Sequence, residues 1–499
     1  MAATPTSAAK PPVEKLDPKV VKTALILIVG GMAVIFDTTI VSVALRALAV
    51  KLDTSVATIQ WVTTGYLLAL AIAVPLSAWG LRRFGGKRLW MFSLAVFLIG
   101  SIGSSLAWNV GSLIGWRVVQ GVGGGLMLPL MTTLIFQAAG GKSLGRLVTY
   151  VALPALLGPI LGPVIGGAIL THLSWRFMFW VNVPFCTAGF LLAWRYLADD
   201  TPGQAKGMAR GIIGAPKAKL DVPGLLLIAP GTAVLLYGLA NAGTSAGFGR
   251  PAVIIPLVIG AALLAAFTWY ALRKARPLVE IRLLARRSVA SSSAALFFSG
   301  FSLYGAMLLL PLFYQDVRGT TALTAGIVLV PQGIGAALSR TVAGSNIDKF
   351  GSRLIVLGGC VIVAAATVPF AFAGPHTNSW LLALWMIIRG FGLGAVTMPL
   401  MVAAYVGLDS EQIPHSSVLT RTAQQIGGSF GTAVLAVILE GAIATHHGSL
   451  ADAFHVAFWW SAGFSAVAVL LSLWLPGAQR TPPAEAAPSA QPALVANAD

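Results

Sequence analysis

A helix needs roughly 20 apolar residues to cross the hydrocarbon core of a bilayer. Fourteen runs along the chain meet that length: 22–45, 58–80, 89–107, 110–135, 146–170, 177–197, 222–241, 251–271, 290–315, 322–343, 354–373, 380–405, 416–440 and 455–475. Polar, mostly short segments separate them. The pattern predicts an all-α polytopic membrane protein with 14 transmembrane helices.

Composition strengthens that reading. Of 499 residues, 57% are hydrophobic and 10% charged, and the mean hydropathy is +0.84. Soluble domains carry about 25% charged residues, so a soluble enzyme and a disordered chain are both excluded. The net charge of +17 would suit nucleic acid, but its distribution does not. With the N-terminus placed inside, 25 Lys and Arg fall on cytoplasmic segments and 5 on outer ones. Arg117, Arg389 and Arg421 lie within the runs. That bias puts both termini in the cytoplasm, and a plasma (inner) membrane location is expected. Cys186 and Cys360 lie in apolar runs, so neither a disulfide framework nor a thiolate metal site is expected. The polar N-terminus predicts no cleaved leader.

The chain carries an internal repeat. Segment 78–88 (AWGLRRFGGKR) resembles 344–353 (GSNIDKFGSR) about 266 positions later, and MLPLM at 127–131 resembles TMPLM at 397–401. Equal offsets divide the chain into a cytoplasmic tail 1–21, a six-helix bundle 22–197, a linker 198–289 with two extra transmembrane helices, a second bundle 290–475, and a tail 476–499 expected to be disordered. The two extra helices are expected at the periphery. Within the linker, 277–289 (PLVEIRLLARRSV) reads as a basic interfacial helix with Leu278, Ile281 and Leu284 toward lipid. Repeats of this kind place a substrate site between the halves.

Asp37, in FDTTIVSVAL, is the one acid deep within any run. A carboxylate there costs about 2.5–3.5 kcal/mol on insertion scales and defaults to a functional reading. Arg117 is its candidate partner. At 1.5 Å per residue, both lie about 10–12 Å below the outer surface. Burial favours the neutral acid and a nearby cation the carboxylate, so such a pair suits proton exchange. The fifth run reads LLGPILGPVIGG. Gly158, Gly162 and Gly166, with Gly167, form a small-residue stripe for close helix approach. Pro159 and Pro163 repeat beside it, and the seam is expected to close against the other half. Three spellings carry no chemistry. Gly243 to Gly247 matches a hydrolase elbow without its strand, Gly141-Lys142-Ser143 lacks the leading glycine of a phosphate loop, and His446-His447 has no companion ligands.

At 22–475 the chain resembles the major facilitator superfamily, and within it the fourteen-helix drug:proton antiporters of EmrB/QacA type. Asp37-Thr38-Thr39-Ile40-Val41, Gln60-Trp61-Val62 with Tyr66, Arg117-Val-Val-Gln120-Gly121 and LGPILGPVIGG are similar to that branch's motifs. So are Trp175-Arg176, Asn182-Val183-Pro184, Pro331-Gln332-Gly333 and Gln424-Gln425-Ile426-Gly427-Gly428. Two departures stand out. The family's loop pattern G-x-x-x-D-R-x-G-R-R is filled by Ala78, Arg82, Arg83, Gly85, Gly86 and Lys87, followed by Arg88, so its aspartate has become Arg82. Its copy near 344–353 keeps the acid as Asp348, with Gly351 and Arg353. Arg46 stands where the family often has proline.

The resemblance implies two six-helix bundles working by alternating access, with Asp37 and Arg117 coupling export to protons and the two loops gating the cytoplasmic side. Trp61, Tyr66, Gln120, Gln315, Gln332, Arg389, Arg421, Gln424 and Gln425 are the candidates for lining a cavity. The expected cargo is a lipophilic or toxic small molecule, the drive is the proton gradient, and no cofactor or metal is implied. Export of one lipid or metabolite stays open. Uptake by symport is disfavoured by the fifth-run motif, and a membrane enzyme or receptor by the absence of paired carboxylates or a soluble domain. An adaptor protein is compatible but not implied, and a monomer is expected.

Overall fold

The computed structural model describes residues 17–54, 56–59, 61–138, 158, 161–162, 164–197, 220–244, 248–275, 277–409, 412–445 and 449–475. Among these, all regular structure is helical. The long helices are α1 (Pro18–Lys51), α2 (Trp61–Ala73), α3 (Leu76–Phe84), α4 (Gly86–Ser105), α5 (Val110–Ala138), α6 (Asn182–Tyr196), α7 (Val222–Thr244), α8 (Pro251–Arg273), α9 (Arg287–Leu312), α10 (Val330–Thr367), α11 (Ser379–Ala403), α12 (Ile413–Thr445) and α13 (Leu450–Ser472). Eleven helices are long and apolar enough to cross a membrane, and α2 with α3 makes a twelfth, bent by 52°. Pro75 sits at that bend, where a missing N–H breaks the ladder. The tenth run appears as the shorter helix Leu323–Ser339. Of the fifth run, Gly158, 161–162 and 164–172 are described and helical, while Pro159 and Pro163 lie outside the described residues. So do 141–143, 245–247, 446–448 and both chain ends.

Helices α1 to α6 pack on one another, as do α9 to α13, which gives two bundles with their own buried cores. The inserted pair is asymmetric. Helix α8 is peripheral, with 17% of its span buried. Helix α7, expected at the periphery with it, packs on α8 but also against α2 of the first bundle and α12 of the second. Leu236, Leu239 and Ala242 meet Ala71 and Ala433 there, so α7 covers the lateral seam between the halves.

The repeat is visible in the backbone. Gly85, between α3 and α4, has φ 83° and ψ 163°. Gly351, 266 positions later, breaks α10 with φ 75° and ψ 158°. This region of φ/ψ space is essentially glycine's alone, so each half turns between its second and third spans on the same device.

The segment after α8 differs from its predicted form. Only a short 3-10 turn, Ile281–Ala285, is present. Leu284 is exposed, but Leu278, Val279 and Leu283 are buried against protein. Asp221 explains the inward turn. Its Oδ2 accepts the Leu278 N–H at 2.9 Å, and its Oδ1 accepts from Lys274 Nζ at 2.8 Å, Tyr270 OH at 2.7 Å and the Gly224 N–H at 3.1 Å. One carboxylate thereby ties together the start of α7, the end of α8 and the strap toward α9. Burial pushes the Asp221 carboxyl up, but the hydrogen bonds from Lys274, Tyr270, Gly224 and Leu278 outweigh it and hold it below the ordinary carboxylate range.

Candidate functional site

Asp37 sits mid-way along α1 and Arg117 in the second turn of α5, and both side chains are fully sealed from solvent. Arg117 Nη1 lies 2.5 Å from Asp37 Oδ2. Gln120, one turn on from Arg117, accepts from the same Nη1 at 2.8 Å and donates Nε2 to Asp37 Oδ1 at 2.9 Å. Asn182, at the start of α6, donates Nδ2 to Asp37 Oδ1 at 3.0 Å and to Ser101 Oγ at 3.0 Å. Ser101 in turn donates to the Phe179 carbonyl at 2.8 Å. Arg117 Nε donates to the Val62 carbonyl of α2 at 3.2 Å, and its guanidinium stacks 4.0 Å from the Tyr66 ring centroid. A buried ion pair offsets its desolvation only when further hydrogen bonds satisfy the charges. Here donors from α5 and α6 converge on a carboxylate of α1, so one titratable group joins three helices.

The glycines of the fifth run explain how α1 is held. A side chain at Gly158 would run into Ile35, one at Gly162 into Thr39, and one at Gly166 would stand 3.0 Å from the Ile40 carbonyl oxygen. The stripe therefore seats on α1, on both sides of Asp37. Gly167 alone among them meets the second half, where an added methyl would stand 2.9 Å from the Leu323 side chain. The expected closure against the other bundle is thus a contact mainly within the first.

A second buried arginine occupies the other half. Arg389 of α11 donates Nη1 to Gln332 Oε1 at 2.8 Å, Nη2 to the Ser302 carbonyl at 2.8 Å and to Ser302 Oγ at 3.2 Å, and Nε to Thr367 Oγ1 at 3.2 Å. Ser465 of α13 donates to Ser302 Oγ at 3.3 Å. Ser302 lies 265 positions after Asp37 and Arg389 272 after Arg117, close to the repeat offset.

The family model of the Major Facilitator Superfamily matches residues 27–432. The chain belongs to this superfamily. It is 36% identical over 431 residues to the multidrug resistance protein B homolog of Mycobacterium tuberculosis, covering 85% of this chain and 77% of that one. It is 29% identical over 422 residues to the lincomycin resistance protein LmrB of Bacillus subtilis, covering 84% and 86%. Among solved structures, the human organic anion transporter MFSD10 aligns with a TM-score of 0.64 at 13% identity, over 91% of this chain and all of that one. The proton:xylose symporter XylE aligns with a TM-score of 0.62 at 14% identity, over 93% and 97%. At such identities the structural likeness carries the fold. Membership makes the chain a multi-pass membrane transporter.

Within the superfamily fold, the remaining candidates separate into distinct places. Tyr66, Gln120, Gln332 and Arg389 are sealed inside their bundles. Trp61 is half-buried and stacks on Tyr237 of α7, ring centroids 5.3 Å apart. Gln315 donates to the Pro311 carbonyl of its own helix at 3.2 Å. Gln424 is half-buried on α12, its carbonyl against Gly300 of α9. Gln425 donates to the Leu67 carbonyl of α2 at 3.3 Å, so it crosses the seam. At the α3–α4 turn, Arg82 and Arg83 at the end of α3 and Lys87 at the start of α4 are half-buried, and Arg88 is exposed. Arg82 is in electrostatic range of His415 at the start of α12, which brings the first half's loop to the second half. Gly351 and Arg353 follow in the matching loop, while the side chain of Asp348 lies outside the described set. Asn182, Ser101, Ser302 and Thr367 are site members that the sequence pattern does not single out as such.

Proposed function

We propose that this chain is a proton-driven exporter of lipophilic, toxic small molecules, working by alternating access in the plasma membrane with both termini in the cytoplasm. The observation that carries the reading is the sealed Asp37–Arg117 pair, with Gln120 and Asn182 completing the carboxylate's partners. The names of the curated relatives support export of drugs, and the loop-charge asymmetry supports the orientation.

Protonating Asp37 removes the charge that Arg117, Gln120 and Asn182 address. A neutral acid accepts less strongly and brings a donor of its own. The grip of α5 and α6 on α1 loosens, and the glycine seam beside Asp37 is where α1 can shift. Leaving one member of a buried pair without its partner costs about 3–5 kcal/mol. A membrane potential supplies about 2.3 kcal/mol per charge per 100 mV, so the gradient and the switch are of one scale. The proton binds from outside as cargo leaves, and it is released inside as the next cargo binds.

The test is efflux from energised cells or proteoliposomes with and without a protonophore. Asp37→Asn keeps the shape and removes the titration, so uphill efflux should vanish while membrane insertion persists. Protonophore-sensitive efflux at the wild-type rate in Asp37→Asn would overturn the reading.

A further inference from the structure

On α12, Ser417, Arg421 and Gln425 recur at four-residue spacing and so share one face. Both ends of that stripe touch the first half. Ser417 Oγ lies 3.2 Å from Thr132 Oγ1 of α5, and Gln425 reaches the Leu67 carbonyl of α2. Arg421, between them, faces the seam. From its own half, Tyr304 of α9 and Tyr405 after α11 lie within electrostatic range of it. Tyr304 is in range of Tyr66, whose ring lies under Arg117.

Arg117 and Arg389 are sealed within their own bundles, Arg117 on Asp37 and Arg389, which also joins no ion pair, on Gln332, Ser302 and Thr367. Arg421 is half-buried at the seam, its Nε has no hydrogen-bond partner, and among the described residues it joins no ion pair. Asp37 is sealed and already engaged. The other described acids within or beside the spans, such as Asp221, Asp316 and Glu440, sit at helix ends. A guanidinium held in a low-dielectric seam without a counter-ion is costly. Its planar fork matches carboxylate, sulfonate and phosphate oxygens.

We infer that Arg421 anchors an anionic group on an otherwise lipophilic cargo, so that this protein takes lipophilic anions in preference to lipophilic cations. This rests on the export reading above and adds the charge class of its substrate. Tyr304 and Tyr405, within electrostatic range of Arg421, flank the anion.

The experiment uses full-length protein in liposomes of zwitterionic lipid, so that no anionic headgroup competes. The probes are an arylalkyl carboxylate dye and a quaternary ammonium dye of matched size. Wild type should bind and move the carboxylate, with the ammonium at least tenfold weaker. Arg421→Gln should weaken carboxylate binding at least tenfold without lowering the melting temperature, and Arg421→Glu should reverse the preference. Equal or better handling of the ammonium dye by wild type, or unchanged carboxylate binding in Arg421→Gln, would overturn the assignment. Arg421-dependent carboxylate binding with no protonophore-sensitive flux would support the anchor and sink the export reading instead.

Discussion

Arg117 and Arg389 stand in corresponding helices of the two halves, both sealed, yet they are answered by different chemistry. Arg117 meets a carboxylate, Asp37, with Gln120 and a backbone carbonyl. Arg389 meets Gln332, Ser302 and Thr367, all neutral. At the position 265 residues after Asp37 the second half holds Ser302. A proton can therefore change the charge of the first site, whereas the second keeps its single charge. On the reading proposed above, the proton step belongs to the first bundle and the second is a fixed scaffold.

The largest expected effect breaks that comparison directly. Arg117→Gln leaves Asp37 buried without its counter-ion and should destabilise by about 3–5 kcal/mol. Arg389→Gln removes an uncompensated charge and leaves only neutral acceptors unmet, about 1–3 kcal/mol. Thermal melts in detergent should rank them in that order; equal losses would mean that the two sites are energetically alike.

Next in size is an attempt to make the halves match. Ser302→Asp places a carboxylate beside Arg389, where a charge-assisted bond contributes about 1.5–3 kcal/mol. The melting temperature should rise at neutral pH and fall back on acidification. A rise that ignores pH would show that the new carboxyl stays neutral.

Gly162→Leu should abolish transport while expression persists, because the added side chain runs into Thr39 of α1. Overpacking of this kind costs about 1–3 kcal/mol. Wild-type efflux at matched expression would mean that α1 does not rely on this seam. An equivalent leucine at Gly358, which has nothing within 4 Å, should be tolerated and serves as the control.

The smallest effect concerns the inserted pair. Asp221→Asn should cost about 1–2 kcal/mol, discounted because Lys274 is 37% exposed and screened. The Asp221 carboxyl is held below its ordinary range. The stability it contributes is present above the ordinary carboxylate range and is lost as pH falls through its lowered value. Melts of wild type against Asp221→Asn should converge on acidification and separate at neutral pH.

Much of this architecture was legible in the chain. Apolar run length gave the spans, and the rise per residue put Asp37 and Arg117 at one depth. The repeat spacing led to Gly85 and Gly351. Other features were not readable, for physical reasons. Asn182 is a lone amide entering an apolar run, and nothing in its spacing says that it turns toward α1. The glycine stripe reveals which face packs closely but not which helix it meets, and that helix is mainly α1. The strap at 277–285 has a basic pattern that suits a membrane surface, yet a distant carboxylate, Asp221, turns Leu278 inward. Sequence also treats every polar residue in a span as a cavity candidate, whereas burial separates the sealed Tyr66, Gln120, Gln332 and Arg389 from Arg421 and Gln425 at the seam.

The central claim is that Asp37 exchanges the proton that drives transport, and proton movement itself tests it most directly. Protein in weakly buffered liposomes, given an outward gradient of a transported cargo, is followed with an internal pH dye. The account predicts a cargo-dependent proton flux in wild type and none in Asp37→Asn, with cargo binding retained in both. A flux of wild-type size in Asp37→Asn would contradict it.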